Sequence, residues 1–277
     1  MVPTRRQTPY VPLTTDEILE DVRRCAELGV SIVHVHARDE DGVPSHRADH
    51  FAPIVEGIRE IDPELVVCVT CSGRRVGSIE ARADVLELDG AAKPDMASLT
   101  LGSNNFQGEA SVNSPAVIRE LARRMASRGI RPELEAFEVG MVAFGRHLVA
   151  EGLLPQPCYV NLLLGGPGTA PFDMSTLAAF LGQVPDDWTW ALAGIGRHQL
   201  SASLTAVALG GQVRVGIEDN VWWDRKREVH ATNEMLVRRV AEAAELAQRP
   251  LATPAWTRER LGLASRPVAA RPLGARA

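Results

Sequence analysis

Apolar and polar positions along this chain follow two alternating patterns. Short runs of apolar, often β-branched residues recur at seven places, each closed by glycine or a polar residue: 31–38 (SIVHVHAR), 65–72 (LVVCVTCS), 96–101 (MASLTL), 132–137 (PELEAF), 157–165 (PCYVNLLLG), 189–196 (TWALAGIG) and 212–220 (QVRVGIEDN). Each predicts a strand. Between them, residues 15–28 open with a Thr/Asp cap, residues 53–61 and 114–128 place apolar side chains at three-to-four spacing, and residues 174–181 give a shorter run of the same kind. These predict helices. Strand alternating with helix implies parallel pairing, because a crossover between parallel neighbours takes about a dozen residues.

The length of 277 residues suits an eight-stranded α/β barrel, for which about 250 is typical. Only seven strands can be counted, and residues 1–13 (MVPTRRQTPYVPL) form a proline-rich, arginine-containing loop where a first strand would stand. An open doubly wound sheet would also fit the alternation. The expected fold is a TIM (β/α)8-type barrel whose first strand is missing or truncated at the N-terminus. In that numbering the strand at 31–38 is second and the strand at 212–220 eighth, so their carboxyl ends lie close together on the face where barrel enzymes hold their sites. A single catalytic domain is expected over residues 1–265. The Ala-, Arg- and Pro-rich segment 266–277 is expected to be a disordered tail.

Composition sets bounds around that fold. Hydrophobic residues make up 45% and charged residues 23%, ordinary for one globular domain with a substantial core. A net charge of -5 without a basic stripe argues against a nucleic-acid partner. No apolar run is long enough to span a bilayer and no secretory start is present, which points to a cytoplasmic protein without a membrane partner. Cys68 and Cys71 form a CxxC spacing inside one strand, where an offset of three turns them to opposite faces, so neither a redox nor a zinc role is expected. GSNN at 102–105 and GGPGT at 165–169 lack dinucleotide or Walker spacing; they fit tight turns or loops approaching an acyl or phosphate group equally well.

The polar residues that interrupt the apolar strands carry the candidate chemistry. His34 and His36 are two apart, so both imidazoles can face one ion. Glu218 and Asp219 end the last strand. Two histidines and one carboxylate leave a fourth position open, the pattern of a catalytic rather than a structural zinc site. A lone strand histidine is more often a hydrogen-bonded core residue, and it is the barrel arrangement that favours the metal.

Five segments in order, HVHARDEDGVPSHR, KPDMASLTLGSNNF, RPELEAFEVGM, GIGRHQL and GGQVRVGIEDN, resemble the β-keto acid cleavage enzyme family over nearly the whole chain. The resemblance implies a zinc-dependent barrel, usually a homotetramer, that condenses a β-keto acid with acetyl-CoA to give acetoacetate and a new acyl-CoA. It implies His34, His36 and Glu218 as zinc ligands, in agreement with the spacing argument. It also implies Arg214 and Asp219 as the catalytic pair, with Thr70, Gly73 and Ser98 holding the keto acid. Thr70 and Ser98 stand where another member has serine and threonine, exchanges that keep the hydroxyl. An arginine stays protonated in ordinary surroundings, so Arg214 is expected to stabilise charge and Asp219 to orient it or handle protons. A purely structural Arg214–Asp219 ion pair is the alternative.

Two departures from the family pattern stand out. Its members begin with a strand ending in a TG-containing turn, whereas Met1 falls where that turn should already have finished. The member acting on an amino-substituted keto acid carries a glutamate where this chain has Val2, so the substrate is expected to carry an apolar or neutral distal group. A metal-dependent hydrolase of the amidohydrolase type also uses an HxH strand in a barrel. Such sites need further histidines on the middle strands, and residues 132–137 and 157–165 contain none.

Overall fold

A computed structural model describes residues 3–74, 76–106 and 108–266. Each of the seven apolar runs supplies a strand to one sheet: β1 (Ile32–Val35), β2 (Val66–Val69), β3 (Met96–Thr100), β4 (Arg131–Ala136), β5 (Tyr159–Leu164), β6 (Thr189–Gly194) and β7 (Gln212–Val213). Their order across the sheet is their order in the chain, and every pairing is parallel. Helix α1 (Thr15–Ala26) precedes β1, and α2 (Ala48–Ile61), α3 (Ile79–Ala83), α4 (Pro115–Ser127), α5 (Val139–Ala150), α6 (Met174–Leu181) and α7 (Gln199–Leu209) fill the crossovers. After β7 come α8 (Asn233–Leu246) and α9 (Pro254–Arg260).

Local chemistry explains the helices that sequence marks. Thr14 and Glu17 form a reciprocal capping box at the start of α1, and Ser114 caps α4 ahead of Pro115. Helix α2 starts at Ala48, ahead of the expected residue 53, with Pro53 inside it. Its first turn is satisfied from a distance, because the Ala48 backbone N–H donates to Asp84 Oδ2 at 2.7 Å. Helices α3, α5, α7, α8 and α9 lie outside the helices that the pattern predicts. In α5 and α7, apolar and small residues run round most of the helix, so no single stripe marks them.

Alternate residues of the sheet enter two apolar layers. Val67 and Val69 join the large core beneath the helices, whereas Val66 and Cys68 join an inner cluster with Met96, Tyr159, Ala191 and Leu261. Both faces are therefore buried, as a parallel sheet requires. Glu133 of β4 lies 2.6 Å from His34 of β1 and 3.6 Å from Arg214, just after β7. A side chain from the middle strand can touch both edges only if the sheet curls around one interior.

The result is a half-barrel rather than the complete eight-stranded barrel of the TIM type. Among the described residues β1 and β7 are unpaired edges, and between them opens a cavity of about 390 Å³ lined by Val33, Val35, Val213 and Val215 with Val22 of α1 and Val240 of α8. The strand expected over 212–220 is the main local correction. Only Gln212 and Val213 lie in the ladder; Arg214 still donates its N–H to Leu192 O at 3.2 Å, and the chain then turns at Gly216, whose carbonyl accepts from Asp219 N–H. Arg266, placed by sequence at the head of a loose tail, donates its backbone N–H to Glu64 Oε1 at 2.7 Å. Val2 and the rest of that expected tail, 267–277, lie outside the described residues. No described helix is long and apolar enough to cross a membrane.

Candidate active site

His34 sits within β1, and His36 one residue past its end, before a short hairpin pairs Ala37–Arg38 with Pro44–Ser45. Their rings are 5.1 Å apart. The turn after β7 brings Glu218 Oε1 to 3.3 Å from His36 Nε2. One ligand atom from each of His34, His36 and Glu218 lies within 4.8 Å of the others. The His36 Nε2 atom is buried without a hydrogen-bond partner among the described residues, an arrangement that is costly unless something else satisfies it. His34 Nδ1 faces Glu133 Oε2 at 2.6 Å; a proton held there leaves the Nε2 lone pair for an ion. Two imidazoles and a carboxylate beside a cavity suit zinc with an open position, so the donor set fits the expected metal.

Electrostatics follows from that packing. Burial opposes charge on His34, but Glu133 outweighs it and raises the imidazole pKa. Burial lowers that of His36 despite Glu218. Burial also opposes the Glu133 carboxylate, yet His34 and Arg214 bring it down to about 2. Glu218 is likewise held well below the usual carboxylate range, because His36 and Arg214 overcome its desolvation.

A second donor set, His34, Cys68 and Glu133, also lies within 4.8 Å. It reads better as support for the first. Burial and the Glu133 charge push the Cys68 thiol well above its ordinary pKa, and its Sγ donates to Glu133 Oε2 at 3.3 Å. A protonated thiol is a donor to that carboxylate, not a metal ligand. Cys68 thus lies in the sheet interior, whereas Cys71 packs in the outer core, in keeping with opposite faces.

Arg214 is enclosed by carboxylates: Nη1 is 3.1 Å from Glu135 and 3.6 Å from Glu133, Nη2 is 3.2 Å from Glu218, and Nε is 3.6 Å from Asp219. Burial works against the cation, but Asp219 and the three glutamates raise its pKa well above the ordinary value. The Asp219 pKa is raised as well: burial raises its proton affinity, Arg214 opposes, and Glu218 adds to the rise. Asn161 Nδ2 holds Glu133 Oε1 at 2.8 Å, and Thr100 Oγ1 holds Glu135 Oε2 at 2.7 Å.

The three residues expected to hold the keto acid cluster after β2 and on β3. Thr70 is buried, and its Oγ1 accepts from Ser72 N–H at 3.2 Å. Ser98 Oγ accepts from Cys71 N–H at 3.0 Å, so this hydroxyl braces the same loop. A Cβ on Gly73 would lie 2.7 Å from Arg82 Nη1 and 3.2 Å from Val112 O, which leaves no room for a side chain. Sequence reading missed Glu133, Glu135, Asn161 and Arg74. The signal for the glutamates was present in PELEAF, where two charges two apart interrupt a run otherwise suited to a buried strand. The GGPGT segment forms a tight turn, with Gly165 at φ +86° and so placed that a Cβ there would lie 2.7 Å from the His198 ring.

Fold and site together define an α/β half-barrel with a candidate metal centre at the carboxyl ends of its edge strands. The beta-keto acid cleavage enzyme family model matches residues 1–263. The chain belongs to that family. It is 37% identical over 267 residues to the 3-oxoadipate:acetyl-CoA acetyltransferase of Cupriavidus necator, covering 95% of this chain and 92% of that protein. It is 34% identical over 262 residues to the 3-keto-5-aminohexanoate cleavage enzyme of Fusobacterium nucleatum, covering 94% and 93%. Among solved structures, apo ObcA superposes with a TM-score of 0.74 at 19% identity, covering 92% of this chain and 66% of ObcA, a likeness of fold alone. The hydrolase alternative is not favoured: His147 is on α5 with its side chain 61% exposed, and His198 lies in the turn after β6.

Proposed function

We propose that this chain converts a β-keto acid and acetyl-CoA into acetoacetate and the acyl-CoA derived from the rest of the keto acid. The keto acid loses the bond between its ketone carbon and its carboxymethyl carbon; the acetyl group takes up the carboxymethyl unit, and coenzyme A receives the remaining acyl group. The convergence of His34, His36 and Glu218 beside Arg214 and a cavity of about 390 Å³ carries this reading. The names of the relatives support it, since each pairs a keto acid with acetyl-CoA or cleaves one.

His34, His36 and Glu218 would hold a zinc ion, which supplies Lewis acidity toward a carbonyl oxygen as charge develops on it. Glu133 keeps the proton on His34 Nδ1. Arg214 remains a cation throughout and offers fixed positive charge to a developing enolate, while Asp219 orients its guanidinium and, with its raised proton affinity, is the group suited to hold a proton from carbon. Thr70, Ser98 and the backbone at Gly73 contact the keto acid. The finer reading of the fold is a TIM-type barrel that is open between β1 and β7 among the described residues.

A homotetramer is the assembly proposed, supported by the exposed apolar side chains of Leu204, Leu209, Leu246 and Trp256 and tested by light scattering. The four cysteines are all free and buried, in keeping with a reducing, cytoplasmic setting. To test the activity, zinc-loaded protein is incubated with acetyl-CoA and a panel of β-keto acids, and acetoacetate is measured. Formation of acetoacetate only when both substrates are present is expected; its absence across the panel overturns the reading.

A further inference from the structure

One cation in the site shares its nearest described anion, Glu218, with other partners. Arg74, in the loop after β2, is 13% exposed at its side chain, and its Nη2 is 3.7 Å from Glu218 Oε1. Its Nε is buried without a hydrogen-bond partner among the described residues. The guanidinium lies over the Phe106 ring at 3.9 Å, and Phe106 is itself set edge-on against Phe137 at 5.4 Å. An aromatic platform fixes the plane of the fork but does not neutralise it.

Charge is distributed unevenly between the two arginines. Arg214 is shared among four carboxylates, whereas among the described residues Arg74 pairs with Glu218 alone, which Arg214 and the metal-ligand set also claim. A buried cation without a committed partner is costly unless a ligand supplies the anion. Asn104 adds a second observation. It lies two residues before Phe106 on one short strand, hence on the same face, and both its amide O and N are buried without partners among the described residues. A guanidinium fork over Phe106 and an unsatisfied carboxamide on the same strand face match a carboxylate.

We propose that Arg74 receives the distal carboxylate of the substrate, so the keto acid is a 3-oxo dicarboxylate. This rests on the proposed function and reverses the expectation of a neutral distal group drawn from Val2. A substrate ammonium would meet Arg74 as a like charge. A neutral end would leave the fork unpaired, and a site built around a buried polar group discriminates strongly against analogues that lack its partner.

The test compares 3-oxoadipate with 3-oxohexanoate, which has the same chain ending in methyl, and with 3-keto-5-aminohexanoate. Wild-type kcat/KM should favour 3-oxoadipate by at least about tenfold. Arg74→Gln should collapse that preference mainly through KM, while Arg74→Lys keeps part of it. Glutarate, which cannot react, should inhibit the wild type competitively and lose this effect in Arg74→Gln. Metal content reports whether each variant is folded; if Arg74→Gln fails that check, the wild-type ranking and Arg74→Lys decide. Equal losses on the dicarboxylate and its methyl-ended analogue assign Arg74 to the carboxylate common to all β-keto acids and overturn the proposal, as does a wild type without preference. Absence of acetoacetate from every substrate defeats the proposed function instead, and glutarate binding measured by calorimetry still decides whether Arg74 holds a carboxylate.

Discussion

His36 Nε2 is a buried nitrogen with no hydrogen-bond partner among the described residues, and Glu218 Oε1 stands 3.3 Å from it. If both are metal ligands, His36→Ala and Glu218→Gln should each lower zinc content and abolish turnover, because two remaining protein ligands cannot retain the ion. Metal analysis showing stoichiometric zinc in both variants would sink the assignment. Arg214 should behave differently, since it touches carboxylates rather than completing the ligand set. Arg214→Lys should keep zinc and lose about 10²-fold in kcat, because an ammonium cannot reproduce a fork aimed at several oxygens. Near-normal turnover would reduce the Arg214–Asp219 pair to a structural ion pair.

At the scale of elements, the loop after β2 is shaped by what lies behind it. Arg82 is 2% exposed, and it donates to Cys71 O at 2.9 Å and Asn113 Oδ1 at 2.7 Å. The guanidinium has nowhere to retreat from a Cβ at residue 73. Gly73→Ala should therefore cost about 1–3 kcal/mol, as overpacking does, and should lower activity by shifting the loop that carries Thr70 and Arg74. Denaturant midpoints and steady-state rates measured together check this; unchanged values for both would mean that the loop yields freely.

At the scale of the whole molecule, Asp95 ties the closing end of the chain to the sheet. Its carboxylate accepts from Arg59 of α2 at 2.6 Å, from Arg258 of α9 at 3.0 Å and from Val67 N–H at 2.9 Å, and Arg266 lies 3.4 Å away. Asp95→Asn leaves buried cations short of their anion and should cost about 3–5 kcal/mol. Burial opposes the charge on Asp95, but Arg59 and Arg258 outweigh it and hold the pKa below the ordinary 3.8. A depressed folded pKa means that the contribution is fully present above the unfolded value and is lost as pH falls through the folded one. Stability should accordingly decline below about pH 4, more steeply in the wild type than in Asp95→Asn. Thermal melts from pH 7 to pH 3 test the slope, and parallel curves would show that Asp95 does not set it.

The sequence by itself determined the strands, their parallel order and the metal-ligand candidates. Periodicity of two is imposed locally by the backbone, so His34 and His36 had to share a face wherever β1 was placed. Capping chemistry is equally local, and Thr14 and Ser114 start their helices where the residues predict. Only the tertiary structure decided what those local rules leave open. The last strand ends after Val213, instead of running on to residue 220, because the chain turns at Gly216. That turn is what carries Glu218 to His36. Helix α2 begins early because Asp84, distant in sequence, satisfies its first turn. Glu133, Glu135 and Arg74 gained roles only when curling of the sheet set β4 opposite both edges and placed the β2 loop over Glu218. Local backbone preference fixes which way a side chain faces along its own element; which charge it meets depends on contacts between residues far apart in the chain.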